Sequence, residues 1–208
     1  MASSPADTGR RYGGKTVDER RAERRERFLA AGLELFGTRG YAATTIPALC
    51  SEAGLATRYF YESFDSREDL FLALYDDLAA RVRAEVEAAV AAAPQELEPI
   101  AAASVRASRR AYADKRVERI VLLEITRISD RAERHRRAAL DEFARTSADA
   151  IRAATKMPPR RARALAIGLV GGITELLVHR AGDPDSISDR DVVAAAVALT
   201  RAALQPPD

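Results

Sequence analysis

Residues 45–64 read Thr-Ile-Pro-Ala-Leu-Cys-Ser-Glu-Ala-Gly-Leu-Ala-Thr-Arg-Tyr-Phe-Tyr-Glu-Ser-Phe, and the fold is decided here. Thr45 can cap a helix whose first turn holds Pro47, where a missing N–H costs little. That helix carries Ile46, Leu49 and Cys50 and stops at Gly54, whose missing β-carbon permits a turn other residues resist. Leu55 is then positioned to enter the core, and a second short helix follows from Thr57 to Glu62. Two short helices about a tight Ala53-Gly54-Leu55 turn make a helix-turn-helix. Phe60 and Phe64, four residues apart, belong to its inner face, so Tyr59 and Tyr61 cannot both join them.

Upstream, Phe28, Leu29, Gly32, Leu35 and Phe36 recur at three- and four-residue spacing, which predicts a helix from about Arg20. It ends at Thr38-Arg39-Gly40, with Gly40 suited to a left-handed C-terminal position. Downstream, Ser66-Arg67-Glu68-Asp69 is a capping-box-like start to a long helix through Leu70, Leu74, Leu78, Val82, Val86 and Val90. Further helices are predicted near 99–112, 115–128, 131–156, 159–181 and 188–204, punctuated by Pro158-Pro159 and Gly182-Asp183-Pro184. No alternating strand pattern and no internal repeat is present. The expected fold is all-α: a flexible tail over 1–19, a three-helix helix-turn-helix domain over 20–66, and a larger helical domain over 67–208.

The 208 residues suffice to bury a core without disulfides or metal, and 47% are hydrophobic. The single cysteine, Cys50, cannot form an internal disulfide, which suits a reducing compartment and reads as buried packing. The N-terminal twenty residues are polar, and the longest uninterrupted apolar run, 164–173, is short of the ~20 residues that span a bilayer. The expectation is a cytoplasmic protein without membrane contact. There is no Gly-rich phosphate loop, nucleophile elbow or recognisable catalytic carboxylate pair, and His135 and His179 lack further ligands at helical spacing. No enzyme, metal or cofactor is expected. Net charge is only +2, and residues 1–69 hold eleven basic against eleven acidic side chains, so bulk charge does not argue for nucleic acid.

Pattern does. A helix-turn-helix holds its second helix with the leading residues toward the major groove, and here those are Thr57, Arg58 and Tyr59. Arginine can pair bidentately with guanine, while Thr and Tyr can reach phosphates or a thymine methyl. Tyr61 sits on the flank, Thr45 offers a hydroxyl at a helix start, and Arg67 can add a phosphate contact. The basic tail residues Arg10, Arg11, Lys15, Arg20 and Arg21 read either as a minor-groove arm or as a solvated leader.

Residues 24–74 resemble the N-terminal domain of the TetR family of bacterial transcription regulators. The matching stretches are 27–36 (Arg-Phe-Leu-Ala-Ala-Gly-Leu-Glu-Leu-Phe), 39–46 (Arg-Gly-Tyr-Ala-Ala-Thr-Thr-Ile), 52–56 (Glu-Ala-Gly-Leu-Ala), 59–64 (Tyr-Phe-Tyr-Glu-Ser-Phe) and 66–70 (Ser-Arg-Glu-Asp-Leu). The resemblance implies a homodimer on a near-palindromic double-stranded operator, acting as a repressor that a small-molecule effector of unknown identity releases. By position it implies DNA contacts at Thr45, Thr57, Arg58, Tyr59, Tyr61, Ser63 and Arg67. Departures fall at Thr57-Arg58, at Ser63 where the family has an aromatic or His, and at acidic Glu62. They bear on the operator sequence rather than the binding mode.

An effector pocket is expected between the long helices, with Phe71, Tyr75, Tyr112, Leu123 and Phe143 as walls. Glu124 and Glu175 interrupt apolar runs, and each is expected to meet a cationic ligand or an arginine such as Arg127. The segment 106–137 carries eleven basic against five acidic residues, read either as exposed helix faces or as a channel for an anionic effector. Dimerisation is assigned to stripes on the last two helices: Leu165, Leu169, Gly172, Ile173 and Leu176, with Val193, Val197 and Thr200. The competing reading is a helical protein-interaction or ligand-binding module without operator binding.

Overall fold

The structure is a computed structural model, and it describes residues 16–94 and 96–204. Helix α1 (Val17–Arg39) begins three residues before the expected start because Thr16 caps it. The Thr16 hydroxyl accepts from the Glu19 N–H, and the Thr16 N–H donates to the Glu19 carboxylate. Residues 1–15 of the expected tail, with Arg10, Arg11 and Lys15, lie outside the described residues. Next come α2 (Ile46–Ala53), α3 (Thr57–Tyr61) and α4 (Arg67–Ala92), the last capped by Ser66.

The larger part contains α5 (Leu97–Ala111), α6 (Lys115–Glu118), α7 (Asp130–Thr155), α8 (Pro159–Gly182) and α9 (Asp189–Leu204). Pro99 lies inside the first turn of α5 rather than ahead of it, where its missing N–H has no helical acceptor to lose. The stretch expected as one helix over 115–128 instead changes pitch. It winds as α-helix only to Glu118, as π-helix over Arg119–Glu124, and as a 3₁₀ turn over Ile125–Arg127. No strand occurs among the described residues.

One hydrophobic core runs unbroken from Phe28 in α1 to Ala196 in α9, and a smaller cluster fills the α7–α8 contact around Ala144, Ala148 and Ala166. The expected boundary between 66 and 67 is a change of role along the chain rather than a gap in packing. Phe71 of α4 stacks edge-on against Phe36 at 5.3 Å and Tyr41 at 5.4 Å.

The arginine-rich segment spends most of its charge on ion pairs. Arg116 reaches Glu34 at 2.8 Å, Arg131 reaches Asp69 at 2.6 Å, and Arg109 contacts both Asp189 and the buried Glu118. Glu133 takes both Arg136 and Arg137, and their hydrogen bonds hold its carboxyl down to about 2.

Gly54 adopts φ 61°, ψ 39°, as the turn requires, and Arg27 of α1 donates to the Ala53 and Gly54 carbonyls beside it. A β-carbon at Gly54 would approach the Arg27 guanidinium at 2.9 Å. Gly54→Ala is therefore expected to cost roughly 1–2 kcal/mol in urea unfolding, with Gly54→Asn costing less, since asparagine tolerates this conformation. Stability should also depend on pH through Glu133. Its folded value lies below the unfolded carboxylate, so its contribution is complete above the ordinary range near ~4.3 and is lost as pH falls toward about 2. Glu133→Gln should flatten that part of a melting-temperature profile.

Candidate functional site

Helix α3 has five residues, too few to persist alone, and aromatic packing holds it. Phe60, fully buried, meets Phe28 edge-on at 5.4 Å and Phe64 at 5.9 Å. From this anchor α3 presents Thr57 and Arg58 to solvent at its start and Tyr61, 56% exposed, at its end. Thr45 is exposed as the cap of α2, its hydroxyl accepting from the Ala48 N–H at 3.3 Å.

The remaining expected contact residues have internal duties. Tyr59 is half-buried, with the Arg24 and Arg58 guanidinium groups over its ring at 4.7 and 4.6 Å. Its hydroxyl accepts from Arg58 at 2.6 Å. Ser63 donates to the Tyr59 carbonyl. Arg67 is held within the chain as well: its guanidinium lies over the Tyr41 ring at 4.1 Å and donates to the Thr44 carbonyl. It ties α4 to the turn before α2. Glu62 is pulled back by Arg24 at 3.2 Å, while Arg21 donates to its carbonyl. The periodicity of α1 singled out none of Arg21, Arg24 and Arg27 as partners of this unit, because each acts across 26 to 41 residues of chain.

A cavity of about 400 Å³ lies among α4, α5, α7, α8 and the π-helical segment. Tyr75, Tyr112 and Phe143 line it, as expected, and so do Val121 and Leu122 of the π-helical segment. Four other expected residues do not. Phe71 is held in the aromatic contact with Phe36 and Tyr41, and Leu123 packs against the core beside the lining pair. Glu175 is exposed, which spares a carboxylate the cost of burial.

Glu124 turns away from the cavity and accepts from the Tyr41 N–H and the Arg119 Nε, both at 2.9 Å. Its arginine is Arg119, not Arg127. Arg119 also donates to the Thr38 carbonyl at 2.8 Å. The pair encloses Gly40, whose φ of 87° disfavours any other residue and where a β-carbon would displace the Arg119 guanidinium, 2.7 Å away. One short segment thus touches the cavity through Val121 and Leu122 and the end of α1 through Arg119 and Glu124.

The stripes assigned to dimerisation are partly consumed inside the chain. Leu169, Ile173 and Thr200 line the cavity, and the buried Thr200 hydroxyl donates to the Ala196 carbonyl. Leu165, Gly172, Leu176, Val193 and Val197 are half-buried. The open apolar positions lie beside them, at Ile167 (51% exposed) and Leu199 (45% exposed), with Gly168 and Gly171 facing free space. By length and composition α8 is apolar enough to cross a membrane, and only 22% of its most apolar window is buried.

Residues 28–74 match the family model for bacterial regulatory proteins of the tetR family. An uncharacterized HTH-type transcriptional regulator, YerO of Bacillus subtilis, is 42% identical over 50 residues, a span covering 24% of this chain and 17% of that protein. A TetR-family regulator from Mesorhizobium loti superposes with TM-score 0.73 at 18% identity, over 89% of this chain and 96% of its own. The regulator FadR from Bacillus subtilis, solved in complex with stearoyl-CoA, does so with TM-score 0.67 at 14% identity, over 86% and 97%. The curated relative shares only the segment around the helix-turn-helix, whereas the solved structures share the whole helical architecture. Residues 28–74 thus form an N-terminal domain of the tetR family of bacterial regulatory proteins, and the helical remainder shares the fold of the solved regulators.

Proposed function

We propose that this protein is a sequence-specific DNA-binding transcription regulator, a dimeric repressor that leaves a near-palindromic operator when a small molecule enters the cavity. The observation that carries the reading is the presentation of Thr57, Arg58 and Tyr61 on a helix fixed from behind by Phe28, Phe60 and Phe64. Arg58 supplies base readout, and Tyr61, Thr45 and Thr57 supply phosphate contacts. Arg67 is given a supporting role, because it is half-buried between Tyr41 and the Thr44 carbonyl, whereas Arg58 stays exposed although it donates to the Tyr59 hydroxyl. Two copies would meet through the open apolar positions of α8 and α9, Ile167 and Leu199, joined by Leu165 and Val197. Pairing sets two recognition helices ~34–36 Å apart, one turn of duplex. Residues 20–66 would act as the DNA-reading unit and 67–208 as the ligand-sensing and pairing unit.

The proposed release uses two contacts between these units. Helix α4 contributes Tyr75, Val82 and Val86 to the cavity wall and Arg67 to the turn before α2. The π-helical segment contributes Val121 and Leu122 to the wall and the Arg119–Glu124 clasp to the end of α1. A ligand that favours one wall arrangement shifts the equilibrium of the recognition helices by its differential affinity.

Selection of bound duplexes from a random library should recover a palindrome whose affinity falls steeply with salt. On that operator Arg58→Ala should cost about 1–3 kcal/mol and relax one base position, whereas Tyr61→Phe should weaken all sequences alike. Arg67→Ala should lower the urea midpoint while barely changing the salt slope. Recovery of no preferred sequence would overturn the reading. A second expectation concerns the clasp. Glu124→Ala removes the acceptor of the Tyr41 N–H, so amide exchange at Tyr41 should accelerate at least ten-fold while exchange in α8 stays unchanged.

A further inference from the structure

Two phenol hydroxyls at the cavity donate to no described group. Tyr75 is 2% exposed and Tyr112 is 6% exposed, both line the cavity, and neither phenol donates to any described group. The other deeply buried hydroxyls of the lining are satisfied at home: Ser108 donates to the Ser104 carbonyl and Thr200 to the Ala196 carbonyl. A tyrosine hydroxyl stands too far from its own backbone for that escape, so these two O–H groups are left to face whatever occupies the cavity. Tyr112 feels the charge of Tyr75, and burial pushes both phenols well above the usual tyrosine range, so each keeps its proton. The protein therefore holds two neutral phenol donors on a mainly apolar cavity wall.

The charged lining residues sharpen the chemistry. There are three, Arg83, Glu87 and Arg136, and each is ion-paired within the chain. Arg136 is gripped by Glu133 through two nitrogens at 2.7 and 2.9 Å, and Arg83 stands between Glu87 at 3.7 Å and Glu142 at 3.5 Å. Each lining arginine already holds a carboxylate of this chain, so an anionic head would have to compete for it, and an unpaired carboxylate in such a chamber is expensive. Glu124 and Glu175, the residues that would have drawn a cation, lie outside the lining.

We infer that the cavity binds a neutral, mainly apolar molecule carrying a hydrogen-bond-accepting carbonyl oxygen, as in a ketone, ester or lactone, which the Tyr75 and Tyr112 hydroxyls engage. The inference rests on reading the cavity as the effector site, and it assigns that site its ligand class.

The test uses the full chain and four probes with matched chains at neutral pH: methyl decanoate, decanoate, decylammonium and decane, with affinities measured by calorimetry. Methyl decanoate should bind most tightly. Tyr75→Phe and Tyr112→Phe should each weaken it about five-fold, leave decane unchanged, and leave the ligand-free melting temperature equal or higher. Unchanged decane affinity also certifies that the variants fold. Should one variant fail that control, the ester-to-decane ratio and the charge series in the unsubstituted chain still decide. Tighter binding of decanoate or decylammonium than of the ester overturns the neutral class. Ester affinity indifferent to both substitutions means the phenols serve water only, and overturns the assignment. If no probe binds while the selected operator is still recognised, this inference fails and the DNA-binding reading stands.

Discussion

Edge-on packing of Phe28 against Phe60 and Phe64 is the contact on which the N-terminal unit depends. A five-residue helix recovers too few backbone hydrogen bonds to offset its ordering, so α3 exists only as far as Phe60 is buried. That burial fixes the rotation of α3 and thereby which side chains are left outside. A second group of rings, Phe36, Tyr41 and Phe71, carries the same rigidity into α4. Between the two groups, Arg24 and Arg27 hold backbone and side chain of the α2–α3 region from α1.

The distribution of charge follows a similar economy. Nearly a third of the residues are charged, yet the net is +2, and the arginines of α5 to α7 join helices rather than build a positive field. The α3 surface consequently relies on few charged contacts. In such a surface the geometry of Arg58 counts for more than long-range attraction, and the Arg58–Tyr59 hydrogen bond becomes part of that geometry.

Much of this was legible in the sequence wherever the cause was local. The Thr45 cap, Pro47 in the first turn and left-handed Gly54 are short-range requirements, and they stand where their spacing put them. The 3.6-residue pattern likewise marked Phe28, Leu35 and Phe36 as core. Through-space partners were not legible. Arg67 has the composition of a phosphate contact, and only the nearness of Tyr41 and Thr44 shows its guanidinium already engaged. Part of the stripe on α8 faces the cavity for a related reason: the helix is apolar around much of its surface, so periodicity could not tell the cavity side from the open side. The π-helical segment left no signal either, since one additional residue per turn leaves the composition unaltered.

The unbroken core has a consequence for modularity. Leu70, Phe71 and Leu74 are buried in the same cluster as Leu35 and Phe36, although they lie beyond the last residue of the DNA-reading unit. A fragment cut after residue 66 would strip one wall from α1 and open Phe36 to water. The recognition unit is therefore not a cassette. Exchanging it between relatives would require α4 to travel with it, and because α4 also lines the cavity, the α2–α3 surface and the cavity wall are bound to change together.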